Sequence, residues 1–229
     1  NRVECYKSAL ACDPISAFGG IVSCNFKINK KLALELDRLF LEVVIGNTFD
    51  REALKILKKK KNLRLIDASN FTLSETLRFN SANENILIQS EDKKKITKDN
   101  FKIVSKKKPS KSQFNDLIFA FHICRFVKSN AIVLASNKST TGIGSGQPSR
   151  LDSCHIAIDK MRKFSTTSSD IVAASDAFFP FVDGIEKLVQ SGIKAVIQPE
   201  GSIRDKEVIK FANETDTVLV FSKTRHFRH

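Results

Sequence analysis

The chain of 229 residues has no tryptophan, a single tyrosine and a single methionine, and no apolar run long enough to cross a membrane. It opens with N-R-V-E-C-Y-K, which is neither an initiator methionine nor the charged and then apolar start of a signal peptide. We therefore expect a soluble protein that is not exported and whose true amino terminus lies elsewhere.

Cysteine is present, but not in the patterns of a disulfide framework or a metal site. The five cysteines form no C-x-x-C pair and have no histidine at ligand spacing; they are Cys5, Cys12, Cys24, Cys124 and Cys154. An odd number without such pairs argues against structural disulfides and structural zinc. The sequence thus predicts a reducing, cytoplasmic compartment and no bound metal.

Acidic residues are too few to balance the basic ones, since 38 lysines and arginines face 25 aspartates and glutamates, for a formal net charge of +13. Such an excess predicts anionic partners: nucleic acid, a membrane surface, or small phosphorylated and carboxylated ligands. Much of it lies in three lysine clusters, 58–61, 93–95 and 106–108. These clusters have no interleaved aromatic residues, so solvated lysine explains them better than a nucleic-acid platform.

The first part of the chain alternates strand and helix patterns. An apolar strand follows Gly20, Asn29 and Asp50 are candidate N-caps of two helices, and further strands are predicted at Val43–Ile45 and Leu63–Ile66. A β-α-β-α-β series requires a parallel sheet with right-handed crossovers.

The alternation returns after an Asn-, Ser- and Lys-rich stretch from about residue 67 to 110, which holds one short strand, Ile86–Ile88. The predicted helices there are 115–127, 151–160, 185–190 and one capped by Ser202 with Asp205, and the predicted strands are 131–135, one returning towards Gly142, 171–174, 193–197 and 217–221. We predict an α/β protein with a first unit at 1–75, a connecting segment at 76–110 and a second unit at 111–229.

The most distinctive stretch is S-D-A-F-F-P-F-V-D, Ser175 to Asp183, at a strand-turn-helix junction. In a parallel sheet, ligands bind where such loops leave the carboxyl ends of strands. Phe178 can then stack on a planar ring, and Asp183 is placed to cap a helix with Glu186 in a capping box. The alternative is that the three phenylalanines are core residues under a turn.

Two further segments carry basic residues that could hold an anion. The run G-I-G-S-G-Q-P-S-R, Gly142 to Arg150, matches neither a Walker A nor a Rossmann pattern, yet its loop ends in Arg150 at the start of a helix. The chain ends in R-H-F-R-H, Arg225 to His229, on the sheet edge expected for Phe178. The alternatives are a surface salt bridge for Arg150 and a frayed terminus for the tail.

Six segments in this order closely resemble one family. They are D-P-I-S-A-F-G-G (Asp13–Gly20), V-K-S-N-A-I-V (Val127–Val133), G-I-G-S-G-Q-P-S-R, S-D-A-F-F-P-F-V-D, Q-P-E-G-S-I-R-D (Gln198–Asp205) and R-H-F-R-H. The family is the formyltransferase (AICAR transformylase) part of the bifunctional purine biosynthesis enzyme that also carries IMP cyclohydrolase. The resemblance spans nearly the whole chain.

The resemblance implies two subdomains with a cytidine-deaminase-like α/β fold, the first lacking its amino-terminal part, without the zinc. It also implies formyl transfer from 10-formyltetrahydrofolate to the amine of AICAR ribonucleotide, in a cytoplasmic homodimer with sites at the interface and with no membrane or nucleic-acid partner. The implied nucleotide contacts are Gly19, Glu42, Asn130, Arg150, Phe178 and Arg225. The implied folate contacts are Leu151, Asp183, Ser202 and Ile203.

The departures from the family concern catalysis. The catalytic Lys-His pair of the family lies in a K-H-x-N-P-C-G segment that would stand shortly before Asn1, and no such segment occurs in these 229 residues. The cyclohydrolase domain is also missing, Val182 replaces the usual arginine, and Glu200 replaces the usual glycine. The alternative hypothesis is therefore a non-catalytic fragment that binds nucleotide or folate.

Overall fold

The alternation of helices and strands is present in two units of the computed structural model, which describes residues 1–72, 77–164 and 170–228. The first unit is Asn1–Glu91 and the second is Asp92–His229. Each unit has its own sheet with parallel strands and its own core of buried side chains. Within the described residues, no helix is both long enough and apolar enough to cross a bilayer.

The first unit confirms the predicted parallel sheet. Its elements are α1 (Arg2–Ala11), β1 (Gly20–Ile28), α2 (Lys30–Asp37), β2 (Leu41–Phe49), α3 (Arg51–Leu57), β3 (Arg64–Asp67), β4 (Leu77–Ala82) and β5 (Asn85–Ser90). Strand β2 pairs in parallel with both β1 and β3. Helix α1 is not among the predicted elements; it has no fully buried side chain and contacts the core only through the partly buried Val3 and Tyr6.

The two predicted N-caps of the first unit are confirmed. Asn29 Oδ1 accepts a hydrogen bond from Leu32 N at 3.0 Å, and Asp50 Oδ1 accepts one from Ala53 N at 2.6 Å. Each cap satisfies a backbone N–H that the helix itself cannot bond. These caps fix where α2 and α3 begin against the sheet.

The sheet of the first unit is covered on one face. Side chains of α2 and α3 form a core with alternate residues of β1 and β2, including Ile28 and Val44. The other face carries Ile21 and Ile66, which are 67% and 46% exposed, and a groove of about 500 Å³. The stretch after β3 differs from the single predicted strand, because β4 and β5 pair as an antiparallel hairpin.

The second unit holds a six-stranded mixed sheet of order β6-β11-β10-β9-β7-β8. Its elements are a 3-10 turn (Lys98–Asn100), β6 (Phe101–Ile103), α4 (Lys111–Cys124), β7 (Ile132–Ser136), β8 (Ser139–Gly144), α5 (Arg150–Phe164), β9 (Val172–Ser175), α6 (Asp183–Gln190), β10 (Ala195–Pro199), α7 (Asp205–Glu214) and β11 (Val218–Ser222). Strands β9, β10 and β11 are parallel, while β6 and β7 are antiparallel to their neighbours. The edge strand β6, only three residues long, is not among the predicted elements.

Both faces of this second sheet are covered. Helix α4 packs on one face around Leu117, Phe121 and the small residues of β7 and β9, and α5, α6 and α7 pack on the other around Ile158, Ile185 and Val208. Because both faces are buried, the residues of β7, β9, β10 and β11 are buried throughout and lack the alternation of a half-exposed strand.

The two predicted capping boxes of the second unit are wrong. Helix α6 begins at Asp183 itself, with Val182 as its N-cap and no side-chain cap, and the Asp183 carboxylate accepts from the adjacent Gly184 N at 2.7 Å. Helix α7 begins at Asp205 with Arg204 as its N-cap, so Ser202 does not cap it. Asp205 Oδ2 instead accepts from Gly201 N at 2.8 Å, so the carboxylate organises the preceding loop.

Candidate functional site

The carboxyl edge of the parallel strands in the second unit collects the residues that the sequence singles out. Phe178 follows β9, and the tail that carries Arg225 follows β11. Strand β7 runs antiparallel to β9 with Ile132 opposite Ser175, so Asn130, just before β7, comes to the same edge. Arg150, at the start of α5, reaches this edge with its side chain.

Arg150 is the centre of a buried polar network. Its Nη1 donates to Ser175 Oγ at 2.8 Å and to Asp176 Oδ1, and its Nη2 donates to Asn130 Oδ1 at 2.7 Å. The Arg150 side chain is 8% exposed and that of Asp176 is fully buried. Arg150 therefore does form a salt bridge, but in the interior and not at the surface. There the planar guanidinium is fixed in one orientation.

Asn130 has few hydrogen-bonding groups left for a ligand. Its Nδ2 donates to the carbonyl oxygens of Gln147 and Pro148, both at 2.9 Å, and its Oδ1 accepts from Arg150. Ser153 Oγ donates to the Asn130 carbonyl at 2.8 Å. The amide thus ties the loop before α5 to the start of β7, and its donors are already used.

Phe178 and Arg225 form the exposed part of this edge. The Arg225 guanidinium lies over the Phe178 ring, 4.7 Å from its centroid, and Phe178 is half-buried. The three phenylalanines therefore divide: Phe179 is a core residue, Phe181 is exposed, and Phe178 presents its ring beside a cation. An exposed arginine on an aromatic ring is a suitable arrangement for a planar anionic ligand.

Gly201 allows Arg225 to take this position, which gives a first prediction. Gly201 has a φ of +112°, and a Cβ added there would lie 3.3 Å from Arg225 Nη2. We expect Gly201→Ala to lower the free energy of unfolding by about 1–3 kcal/mol through backbone strain and also to displace Arg225. The measurement is urea unfolding together with the affinity for a nucleotide.

Gly192→Ala is the matched control for Gly201→Ala. Gly192 also has a positive φ, +92°, but an added Cβ would meet nothing within 4 Å. Both variants should lose stability through strain, whereas only Gly201→Ala should weaken nucleotide binding. Equal nucleotide affinities in the two variants would contradict the nucleotide contact that the family resemblance implies for Arg225.

The carboxyl-terminal tail is tied down although it has no regular structure. His226 Nδ1 contacts Asp92 Oδ2 at 2.5 Å, which requires the imidazole proton on Nδ1, and His226 packs against the Phe121 ring. Burial lowers the pKa of His226, and the nearby Asp92 only partly offsets this effect. Residues 223–228 are thus not a frayed terminus, which was the alternative for the tail. His229 lies outside the described residues.

The four residues that the resemblance assigns to folate lie at neighbouring helix starts and loops of the same unit. Leu151 is in the first turn of α5, and Asp183 begins α6, whose Gly184 packs beside Cys154 of α5. Ser202 and Ile203 lie in the loop before α7, where Ile203 is fully exposed. Arg204 in this loop lies over the exposed Phe181 ring at 4.8 Å, while Val182 packs at the margin of the core.

The glycines of G-I-G-S-G-Q-P-S-R have a packing function. Gly142 and Gly144 lie in β8, where an added Cβ would come within 2.2 Å of Ala157 O and 1.9 Å of Ser153 O. Helix α5 therefore lies directly on the backbone of β8. In this arrangement the first two glycines do not form a phosphate-binding loop.

Gly19 and Glu42 belong to the first unit and lie at the starts of two paired strands. Gly20 is in register with Leu41, Gly19 N donates to Phe40 O at 2.9 Å, and Gly19 has a φ of +71°. Glu42 is exposed and lies 3.6 Å from Arg64. Both residues stand at the amino ends of β1 and β2, not at the carboxyl ends where the sequence argument places ligands.

The groups of this edge offer hydrogen-bond donors and an aromatic face to a ligand. Burial raises the pKa of Cys154 to about 12, and that of Cys124 well above its usual range, so both thiols are protonated at neutral pH. Within residues 1–72, 77–164 and 170–228, no group of three or more His, Cys, Asp or Glu side chains could hold a metal ion. The arrangement favours binding through arginine, amide and aromatic groups.

Sequence reasoning missed Ser129, Ser175 and the role of Asp176. The available signal was an aspartate directly after an apolar strand, since a charged residue in such a place is buried only if it is paired. The serines carried no signal of their own.

Comparison with known proteins supplies the family. The model described as "AICARFT/IMPCHase bienzyme" matches residues 1–160. A bifunctional purine biosynthesis protein PurH from Leptospira biflexa is 45% identical over 228 residues, which are 99% of this chain and 44% of that protein. Proteins of the same name from Chlorobium phaeobacteroides and Petrotoga mobilis are 41% and 44% identical over 227 residues, each covering 99% of this chain and 43% of the relative.

The chain thus spans less than half the length of these curated relatives, yet nearly all of it aligns with them. The family model covers the first unit and continues through α4, β7 and β8 into α5, and the matches to the relatives extend over the site edge and the tail. The chain belongs to the AICARFT/IMPCHase bienzyme family.

Proposed function

We propose that this chain carries ligand-binding elements of an AICAR formyltransferase in purine biosynthesis, which transfers a formyl group from 10-formyltetrahydrofolate to the amine of AICAR ribonucleotide. The observation that carries the proposal is the meeting of Asn130, Arg150, Phe178 and Arg225 at one edge of the second sheet. These four residues come from separate motifs of the family resemblance, and the fold brings them together.

The nucleotide is proposed to bind at Phe178 and Arg225. The ring offers an apolar wall for the flat heterocycle, and the exposed guanidinium offers donors to an anionic group. Arg150 and Asn130 are proposed to support the site at the same edge, since most of their donors are used within the protein. Gly19 and Glu42 remain proposed nucleotide contacts from the family resemblance.

The folate cosubstrate is proposed to contact Leu151, Asp183, Ser202 and Ile203. The full exposure of Ile203 supports this, because an isoleucine without any covering side chain suits contact with an apolar part of a ligand. The net charge of +13 favours approach of both ligands, since a nucleotide phosphate and a folate carry negative charge. The proposal places the protein in the cytoplasm. It includes no metal and no nucleic-acid or membrane partner.

Catalysis itself is proposed to need groups outside these 229 residues. The AICAR amine is a poor nucleophile, so formyl transfer requires a base for its proton and a cation for the developing charge. The family places a Lys-His pair in this role, in a segment that the sequence does not contain. The second candidate function is therefore a binding fragment without formyl transfer, which the missing pair favours for the isolated chain.

We further propose that both units are cytidine-deaminase-like subdomains, with 1–75 the remainder of the first, 76–110 the connection and 111–229 the second. The order α1-β1-α2-β2-α3-β3 repeats as α5-β9-α6-β10-α7-β11, with parallel strands in the same order. In the second unit, α4 covers the face that corresponds to the open face bearing Ile21 and Ile66. This match supports a first subdomain of which the chain holds the later elements.

We also propose a homodimer with sites at the interface. The β4–β5 hairpin supports an assembly, because Leu77, Phe79 and Leu87 are each more than half exposed. An isolated two-stranded hairpin is marginally stable in water. We expect Leu87→Lys to shift the protein towards monomers in sedimentation equilibrium. Asn85→Lys, at the polar start of β5, is the control and should leave the dimer unchanged. A wild-type chain that sediments as a monomer would contradict the dimer.

Titration calorimetry of AICAR into the purified chain tests nucleotide binding. We expect Arg225→Ala to weaken binding by about 1–3 kcal/mol, a roughly five- to 150-fold rise in Kd, because a charge-assisted contact is lost. Arg204→Ala is the matched control, since Arg204 also lies over a phenylalanine ring but is not a proposed nucleotide contact. Equal affinities of the two variants would reject the assignment of Arg225.

A further inference from the structure

One buried residue, Asp176, bonds three segments that meet at the site edge of the second unit, two through its carboxylate and one through its backbone carbonyl. Asp176 Oδ1 accepts from Arg150 Nη1 at the start of α5, and Oδ2 accepts from Ser129 Oγ at 2.5 Å in the loop before β7. The Asp176 carbonyl accepts from His226 N in the tail at 3.0 Å. Asp176 therefore joins three stretches that are far apart in sequence.

Ser129 extends this connection to the end of the chain. Its Oγ donates to Asp176 and accepts from Arg228 N at 3.0 Å, and its own N donates to Arg228 O at 2.8 Å. A hydroxyl that donates to a carboxylate becomes a better acceptor for a further donor. The charge of Asp176 thus strengthens the bond between Ser129 and the tail.

The tail depends on such anchors, because strand β11 ends at Ser222 and residues 223–228 have no helix or strand of their own. Arg225 itself is exposed, and its guanidinium lies over the Phe178 ring. The tail backbone is held on both sides of Arg225: Lys223 N donates to Asn100 O before it, and His226 N to Asp176 O and Arg228 N to Ser129 Oγ after it. The place of the Arg225 guanidinium is consequently set by its neighbours.

We infer that Asp176, acting through Ser129, is a positioning residue that docks the carboxyl-terminal tail and so holds Arg225 over Phe178. The inference rests on the proposed function only in that the ligand held by Arg225 is a nucleotide. Docking of the tail is a property of the chain itself and can be measured without any ligand.

Limited trypsin digestion of the full 229-residue chain, followed by mass spectrometry, measures tail release directly. Trypsin can cut the tail after Lys223, Arg225 and Arg228. Cleavage after Lys223 and Arg225 is followed, because it requires the tail to detach from the rest of the unit. Asp176→Asn and Ser129→Ala should raise the rate of cleavage at these two sites by about tenfold, the effect of losing one charge-assisted hydrogen bond. Ser129→Thr, which keeps the hydroxyl, should cleave at the wild-type rate.

Asp116→Asn is the matched control for a general loss of stability. Asp116 is the other buried aspartate of this unit, and its carboxylate accepts from Asn137 N and Lys138 N at 2.9 and 2.8 Å, in the β7–β8 turn. Its loss should destabilise the unit without releasing the tail selectively. Cleavage rates are compared after urea unfolding has shown how much stability each variant has lost.

Three results would overturn the inference. The first is that the tail is released no faster in Asp176→Asn and Ser129→Ala than in Asp116→Asn, and the second is that Ser129→Thr and Ser129→Ala release it equally fast. The third is that the tail is released while the affinity for AICAR stays unchanged, in a chain that binds AICAR. If Asp176→Asn does not fold, Ser129→Ala alone decides, since Ser129 is only half-buried. A wild-type chain that binds no AICAR would reject the proposed function while the digestion still tests tail docking.

Discussion

Replacing Arg150 with methionine is expected to lower the free energy of unfolding by about 3–5 kcal/mol, because it leaves the carboxylate of Asp176 buried without its cation. The Asp176 side chain is fully buried, and Arg150 is its charged partner. Ser129 alone cannot replace the lost charge. The measurement is urea unfolding of the 229-residue chain followed by circular dichroism.

The control is the double variant Arg150→Met/Asp176→Leu, which removes both charges and keeps apolar volume. A buried ion pair replaced by apolar residues is often neutral for stability, so the double variant should recover most of the loss. A loss below about 1 kcal/mol in Arg150→Met, the range typical of exposed ion pairs, would contradict the buried network.

Gly144→Ala is the second substitution with a large expected effect. An added Cβ would lie 1.9 Å from Ser153 O and 2.6 Å from the Ser153 carbonyl carbon, so the backbones of β8 and α5 would have to separate. Overpacking of this kind costs about 1–3 kcal/mol, and more where the added atom overlaps the backbone. We expect Gly144→Ala to lower the free energy of unfolding by at least the upper value. Since α5 carries Arg150, nucleotide affinity should fall as well.

Gly146→Ala provides the comparison for Gly144→Ala. Gly146 has a φ of +71°, and an added Cβ would be 3.9 Å from the nearest atom, the Cδ of Lys128. Only backbone strain of about 1–2 kcal/mol is expected there. Thermal unfolding of both variants gives the difference, and equal losses would show that close packing of α5 on β8 is not what requires a glycine at 144.

The alternation of elements in both units is predictable from sequence because it depends on local signals. Apolar periodicity located the strands and helices, and Asn29 and Asp50 were correct caps because their side-chain oxygens need only reach a backbone N–H three residues on. The same rule failed at Asp183 and Ser202. There the loop geometry placed Asp183 inside the helix and directed Asp205 to Gly201 N.

The candidate site is less predictable, because its contacts join residues far apart in sequence. The family resemblance named Arg150 and Asn130, but nothing in the sequence indicates that they bond each other or that Asp176 lies between Arg150 and Ser129. Of the hairpin β4–β5, only the second strand was predicted. The described side chains of β4 and β5 are exposed, so the apolar residues of the hairpin do not alternate between buried and exposed positions.

The most direct test of the central claim is formyl transfer by a chimera, in which the part of the Leptospira biflexa relative that precedes the aligned region is joined before Asn1. We predict that the chimera formylates AICAR with 10-formyltetrahydrofolate, that Arg225→Ala lowers its kcat/KM by about tenfold or more, and that the 229-residue chain alone is inactive. A folded chimera without formyl transfer, or activity that is unaffected by Arg225→Ala, would contradict the assignment of this chain to the formyltransferase site.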